Sequence, residues 1–216
     1  MKSFFFILET ATKNTILIAL ACAGAGAIIS IITCTGLSVS FVSLVISLSK
    51  GYLFIALILT AIITIILGMG MPCVAAYVVA ISVIGPALFM MGMGVGVLQV
   101  HLFIYYFALL AALTPPVCIA AYATASISRA NPLLTGYESV KLAIAGFIAP
   151  FIFIFNDSLL LKGSFLSIFT TISLAFIMVL LISISIVGFY NKKINLVYRL
   201  ILLFLCIVVY LIVISL

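Results

Sequence analysis

The chain has 216 residues, 68% of them apolar and 6% charged, with a formal net charge of +6. Soluble domains run at about 45–50% apolar and about 25% charged, so no soluble core of this size hides so much apolar surface, and a soluble enzyme is excluded. Apolar runs that do not alternate and far exceed about 10 residues exclude a membrane β-barrel; at about 20 residues per helical crossing, the length admits roughly six to eight membrane segments.

Residues 1–14 form a cytoplasmic N-terminal segment in which Lys2 and Lys13 bracket a short apolar patch ending at Glu9. The stretch Ala19-Leu20-Ala21-Cys22 resembles a lipoprotein cleavage site but has Ala where Leu is usual, so an uncleaved start is expected. A first span covers 15–35, and its small residues from Ala21 to Ala27 let a neighbouring helix approach closely. After Gly36, the serine-laced segment 37–49 is too short to cross and reads as an interfacial or connecting helix.

Tyr52 to Leu67 is a run of strong apolarity that stops at Gly68-Met69-Gly70-Met71-Pro72 and resumes as Cys73 to Leu88. Two glycines and a proline remove helix propensity and one backbone donor. Residues 52–88 are therefore predicted to form a re-entrant helical hairpin with a broken tip. The Met- and Gly-rich stretch from Phe89 to Gly96 follows; its Gly92-Met93-Gly94-Val95-Gly96 run lacks the spacing and the βαβ setting of a dinucleotide fingerprint. Val97 to Leu113 is helical, Thr114-Pro115-Pro116 cannot continue it, and Val117 to Ser128 is helical again. This predicts a discontinuous helix over 97–128.

Arg129 suits a helix C-terminus. Asn131-Pro132 makes a turn, and Thr135-Gly136-Tyr137-Glu138 has the spacing of a capping box that would open a span over 136–155. Residues 161–216 hold two C-terminal transmembrane helices, Phe165 to Val187 and Leu196 to Leu216. The five cysteines lie singly in apolar stretches, without zinc or redox spacing, and read as packing residues. The nine basic residues are scattered between apolar runs, which argues against nucleic acid and makes them a topology signal. With a cytoplasmic N-terminus and a hairpin that returns to its starting side, Lys2, Lys13, Arg129, Lys141, Lys192, Lys193 and Arg199 face the cytoplasm, and only Lys50 and Lys162 face away. A single crossing over 52–88 would instead leave three inside against six outside, against the positive-inside rule. Two full spans over 52–88 satisfy the same count.

Irregular backbone at membrane depth survives only where protein buries it or a watery cavity lines it, which makes the two breaks the candidate site. Half-helix N-termini attract anionic groups, and freed carbonyls attract small cations. The expected cation ligands are the backbone oxygens of Gly68, Gly70 and Pro116 with Thr114, whose hydroxyl suits a hard cation such as Na⁺. The expected substrate contacts are Gly70, Met71, Pro72, Cys73, Thr114 and Pro115. His101 and Tyr105, spaced i and i+4, are either a packed hydrogen bond or a pair that faces the substrate path or relays a proton. Asp157 reads as an interfacial acid. No bound cofactor is expected, and neither a P-loop nor an H-E-x-x-H motif occurs.

These residues resemble a family. Leu67 to Tyr77, Gly85 to Leu88, His101 to Phe107, Leu113 to Tyr122 and Ala130 to Glu138 are similar to the large membrane (permease) subunit of tripartite ATP-independent periplasmic (TRAP) transporters, in the branch served by TAXI-type binding proteins. The resemblance covers about residues 15–160, and the last two spans match in general character only. It implies a multi-pass protein of the bacterial inner membrane that imports an organic acid, in all expectation a carboxylate, with sodium as coupling ion. The substrate, a small organic anion, would come from a periplasmic TAXI-type substrate-binding protein. It also implies an all-α integral membrane fold: a polytopic bundle that forms half of an inverted-repeat, elevator-type transporter. In that pattern the chain corresponds to the second repeat and works with the remainder of the permease, namely the first repeat and a small-subunit-like segment. Cys73 departs from the pattern, standing where family members more often carry Thr. The alternative readings are a non-transporting scaffold or remnant of a split permease and, further off, an intramembrane enzyme.

Overall fold

The computed structural model describes residues 2–91, 94–190 and 192–215. Gly92, Met93 and Asn191 therefore lie outside the described residues. The described chain is an all-α bundle: α1 (Lys2–Cys34), α2 (Leu37–Ser49), α3 (Leu53–Gly68), α4 (Cys73–Met90), α5 (Val97–Ala111), α6 (Ile119–Ser128), α7 (Pro132–Leu142), α8 (Ile144–Phe155), a 3-10 turn (Asp157–Leu160), α9 (Phe165–Val187) and α10 (Leu196–Ser215). A two-residue antiparallel pairing, Phe189 with Lys193 and Tyr190 with Lys192, closes the turn between α9 and α10.

Glycines mark several junctions because the chain there needs positive φ, as at Gly36 (φ +69°) before α2 and Gly70 (φ +82°) between α3 and α4. α1 runs unbroken from Lys2, ahead of the first span expected from Thr15, because nothing in residues 2–14 breaks a helix. The segment Gly26–Ile32 and α2 meet at 73°. α2 buries Val42, Val45 and Ser49 and packs against α3 and α4.

α7 begins at Pro132, not at Thr135. Asn131 Oδ1 accepts from the backbone N–H groups of Leu133 (3.0 Å) and Leu134 (3.2 Å), and the Thr135 hydroxyl donates back to the Asn131 carbonyl at 2.9 Å. An Asn cap followed by proline at the first helical position outcompetes the capping box read further along, because both residues are already set for a helix start. α7 and α8 together form a 24-residue apolar stretch, Pro132–Phe155.

Among the described residues, four stretches are long and apolar enough to cross a membrane: Cys73–Met90, Pro132–Phe155, Phe165–Val187 and Leu196–Val213. α3, α5 and α6 are apolar but shorter. α3 and α5 stop at breaks rich in glycine or proline, and α6 ends at Arg129, which has φ +56°.

The main core joins α3, α4 and α5, with Leu57, Val79, Val83, Ile84, Phe103 and Ile104 fully buried. Lipid removes most of the hydrophobic drive between helices, so close packing must hold them. Small residues supply it: Ala56 and Ala61 of α3, Ala75, Ala76, Ala80 and Ala87 of α4, and Ala108 and Ala111 of α5 are all buried. Phe103 stacks edge-on against Phe151 of α8 at 5.2 Å between ring centroids. A second cluster, Ile152, Met178, Ile182, Cys206 and Val213, joins α8 to α9 and α10. The outward faces of α9 and α10 carry exposed Phe, Leu and Ile, as lipid contact requires.

Direction within the bundle follows from these contacts. The ends of α3 and α5 lie together, so the two run parallel, with α4 returning between them. At their starting end, the buried Gln99 of α5 donates through Nε2 to the carbonyls of Phe153 (3.0 Å) and Ile154 (3.1 Å) and to Asp157 Oδ1. Lys50 and Lys162 therefore share one end of the bundle. α9 runs back, so Lys192, Lys193 and Arg199 gather towards the other.

Candidate functional site

The last turn of α3 and the last turn of α5 touch. A Cβ built on Gly68 would lie 2.7 Å from the Cβ of Ala111, 3.4 Å from that of Ala76 and 3.6 Å from the Ala108 carbonyl oxygen. Only a glycine fits there. Three residues past Ala111 stands Thr114, so the hairpin tip and the joint of the discontinuous helix are neighbours at the same level of the bundle.

At the tip, Gly68 is buried and its carbonyl accepts from Met71 N–H at 3.3 Å. Gly70 is exposed, Met71 packs partly against the main core, and Pro72 and Cys73 open α4. At the joint, the Thr114 hydroxyl donates to the Leu110 carbonyl at 2.8 Å, which leaves its oxygen lone pairs free to accept. Ala120 N–H donates to the Ala112 carbonyl at 3.2 Å and Cys118 N–H to the Thr114 carbonyl at 3.1 Å, tying the two half-helices across the gap. The Pro115–Pro116 peptide is cis, and Cys118 has φ +26°.

α7 closes over this joint. A Cβ on Gly136 would come within 2.7 Å of Cys118 Sγ and 3.2 Å of Pro115 Cγ. Between them runs a groove of ≈ 450 Å³ lined by Thr114, Pro115, Pro116, Leu133, Tyr137 and Val140. The groove brings together three of the residues singled out in the sequence. Gly70, Met71, Pro72 and Cys73 do not line it; they form the turn from α3 into α4.

Several participants were not singled out from the sequence. Tyr77 of α4 reaches across to α5, its Oη 2.6 Å from His101 Nδ1, and its ring stands edge-on to Tyr105 at 5.6 Å between centroids. His101 thus pairs between helices rather than with Tyr105 along its own. Thr60 and Thr64 lie on the α3 stripe that ends at Gly68, fully buried, and their hydroxyl oxygens have no hydrogen-bond partner among the described residues. Their four-residue spacing inside an apolar run was the available signal. Among the described residues no group of three or more His, Cys, Asp and Glu side chains is placed to hold a metal. Any cation at the breaks would be held by carbonyl and hydroxyl oxygens, the donor set that hard cations prefer.

Other concave features have a different character. A cleft of ≈ 330 Å³ among α3, α8, α9 and α10 is lined by Phe54, Ile58, Phe151, Met178 and other apolar side chains, with nothing to orient a polar solute.

No curated protein and no solved structure matches the chain at a significant level. A comparison with protein families matches residues 1–168 to the tripartite ATP-independent periplasmic transporter, DctM component, a stretch that runs from α1 through both breaks and into the start of α9. With more than half of its length matched, this multi-pass membrane protein belongs to the DctM family, the large permease component of TRAP transporters, and is a transport protein rather than an enzyme.

Proposed function

We propose that the chain is the second-repeat part of a sodium-coupled permease that imports an organic acid, a carboxylate by family analogy, handed over by a TAXI-type periplasmic binding protein. One observation carries the reading: Gly68, the last residue before the tip, lies against Ala111, the last residue of α5 and three residues ahead of Thr114, so the two breaks begin side by side. Two interrupted helices that meet in this way expose backbone oxygens and a hydroxyl towards one place, where a sodium ion and the carboxylate it accompanies can replace the missing backbone partners.

Depth supports the same reading. At 1.5 Å per residue, the sixteen residues of α3 carry the chain about 24 Å from the Lys50 end, short of the about 30 Å of a hydrocarbon core. With Lys50 and Lys162 at one surface, the tip then lies towards the far side of the apolar layer, about 6 Å short of the opposite boundary. The larger basic group at the opposite end makes that side cytoplasmic, with the N-terminus also inside and the membrane the bacterial inner one. Gly68, Gly70, Thr114 and Pro116 offer oxygens to the ion, and Thr114 and Pro115 face the groove that would admit the anion, next to Gly70, Met71, Pro72 and Cys73 at the tip. The buried hydroxyl of Thr64, one turn before Gly68, is a reserve oxygen on the same helix face.

The test is uptake of a labelled organic acid into proteoliposomes that hold this chain with the remainder of the permease and the binding protein. Uptake should require an inward sodium gradient, and Thr114→Ala should lower it at least about tenfold at limiting sodium, the effect of losing about 1.4 kcal/mol of ion binding. Sodium dependence identical to the parent protein's would remove Thr114 from the site. Uptake that ignores sodium altogether would end the coupling proposal.

A further inference from the structure

Where α7 meets the α9–α10 turn, two basic side chains from separate elements line the same clefts. Lys141 and Arg199 face a cleft of ≈ 380 Å³ with Glu138, Leu142, Ile186 and Val187. They also face an adjoining cleft of ≈ 320 Å³ that continues along Leu196, Leu200 and Leu203. Arg199 is fixed in place: its Nε donates to the Ser185 carbonyl at 2.6 Å and its Nη2 to the Ile186 carbonyl at 2.8 Å, closing the C-terminal end of α9. Gly188 makes this possible, since a Cβ there would meet the guanidinium carbon at 3.0 Å. A guanidinium has five N–H donors, so about three remain for a ligand. Among the described residues Arg199 has no ion-pair partner, while Lys141 pairs with Glu138 at 2.5 Å on the exposed rim.

We infer that this cleft binds the phosphate headgroup of an anionic phospholipid, with one acyl chain lying along Leu200 and Leu203. A preset guanidinium with unused donors and an ammonium across the cleft suit a phosphate oxygen pair, and the apolar wall leading away from them suits a lipid tail rather than a free ion. Lys192 and Lys193 in the adjoining turn are exposed and add to the positive field at the same end. Glu138 opposes binding and sets its strength, because it holds Lys141 until the phosphate takes its place.

The experiment uses the whole chain in detergent, exposed to phosphatidylglycerol, phosphatidylcholine or inorganic phosphate, with retained lipid counted by native mass spectrometry. Phosphatidylglycerol should be retained over phosphatidylcholine, and Lys141→Gln should weaken its retention about five-fold, the effect of one basic residue near an anionic headgroup. Lys141→Arg should keep it and Glu138→Gln should raise it. Among the described residues Lys141 makes its hydrogen bond to Glu138 and none to the α9 end, so its variants test binding without removing the cap that Arg199 provides. Equal retention of the two lipids, no change with Lys141→Gln, or displacement of phosphatidylglycerol by millimolar inorganic phosphate would overturn the inference.

Discussion

Gly68→Ala probes the contact between the two breaks most directly. The added carbon would sit 2.7 Å from Ala111 Cβ, whereas carbon atoms in contact settle at about 3.5–4.0 Å, so about 1 Å must be found. Neither partner is the end of a flexible side chain. Ala111 Cβ is anchored on α5, and Ala76 and Ala108 stand behind it, so a helix has to move. Overpacking of this kind costs about 1–3 kcal/mol. Replacing glycine by alanine in a helix interior returns about 1 kcal/mol, and less at the last residue of a helix. The expected net loss is about 1–2 kcal/mol, read as a shift in equilibrium unfolding when a mild detergent is titrated with a denaturing one and helical signal is followed. Two further variants sharpen the test. Combining Gly68→Ala with Ala111→Gly moves the methyl to the other helix and should recover most of the loss, a coupling of about 1 kcal/mol or more. Gly24→Ala, where nothing lies within 4 Å of the new carbon, should be neutral or slightly stabilising. If Gly68→Ala is as stable as the parent, or the double variant recovers nothing, α3 and α5 do not meet as described and the site loses its geometry.

Two other substitutions test the rest of the framework by the same assay. Gln99→Leu keeps the bulk but leaves the carbonyls of Phe153 and Ile154 without their donor, at a cost of about 1–3 kcal/mol; a neutral result would mean that α5 and α8 are not tied at this end. Thr64→Val exchanges a buried hydroxyl without a partner for a methyl of the same shape, so in sodium-free buffer stability should hold or rise by up to about 1 kcal/mol. A clear loss there would show that the hydroxyl has a partner after all.

The main lines of the fold were legible because they rest on local chemistry. Composition alone demands a membrane, and Gly68 to Pro72 and Thr114 to Pro116 announce their breaks by removing helix propensity and backbone donors in whatever fold surrounds them. Where local signals compete, the outcome was harder to read. Asn131 and Thr135 both offer a helix start, and the order was decided by Pro132, which favours the first helical position after Asn131.

Partnerships across helices were not legible. His101 has Tyr105 one turn away, yet it bonds Tyr77 from α4, since two packed helices bring those side chains closer than one helix does. Gln99 looks like any polar residue in an apolar run until α8 brings two carbonyls and Asp157 to it. What the sequence determined by itself was where each helix must stop, because stopping is a property of the residues at that point. Only the tertiary structure decided that two of those stops coincide. That depends on α3, α4 and α5 having matched lengths and alternating direction, and on alanines and one glycine small enough to let them close on each other.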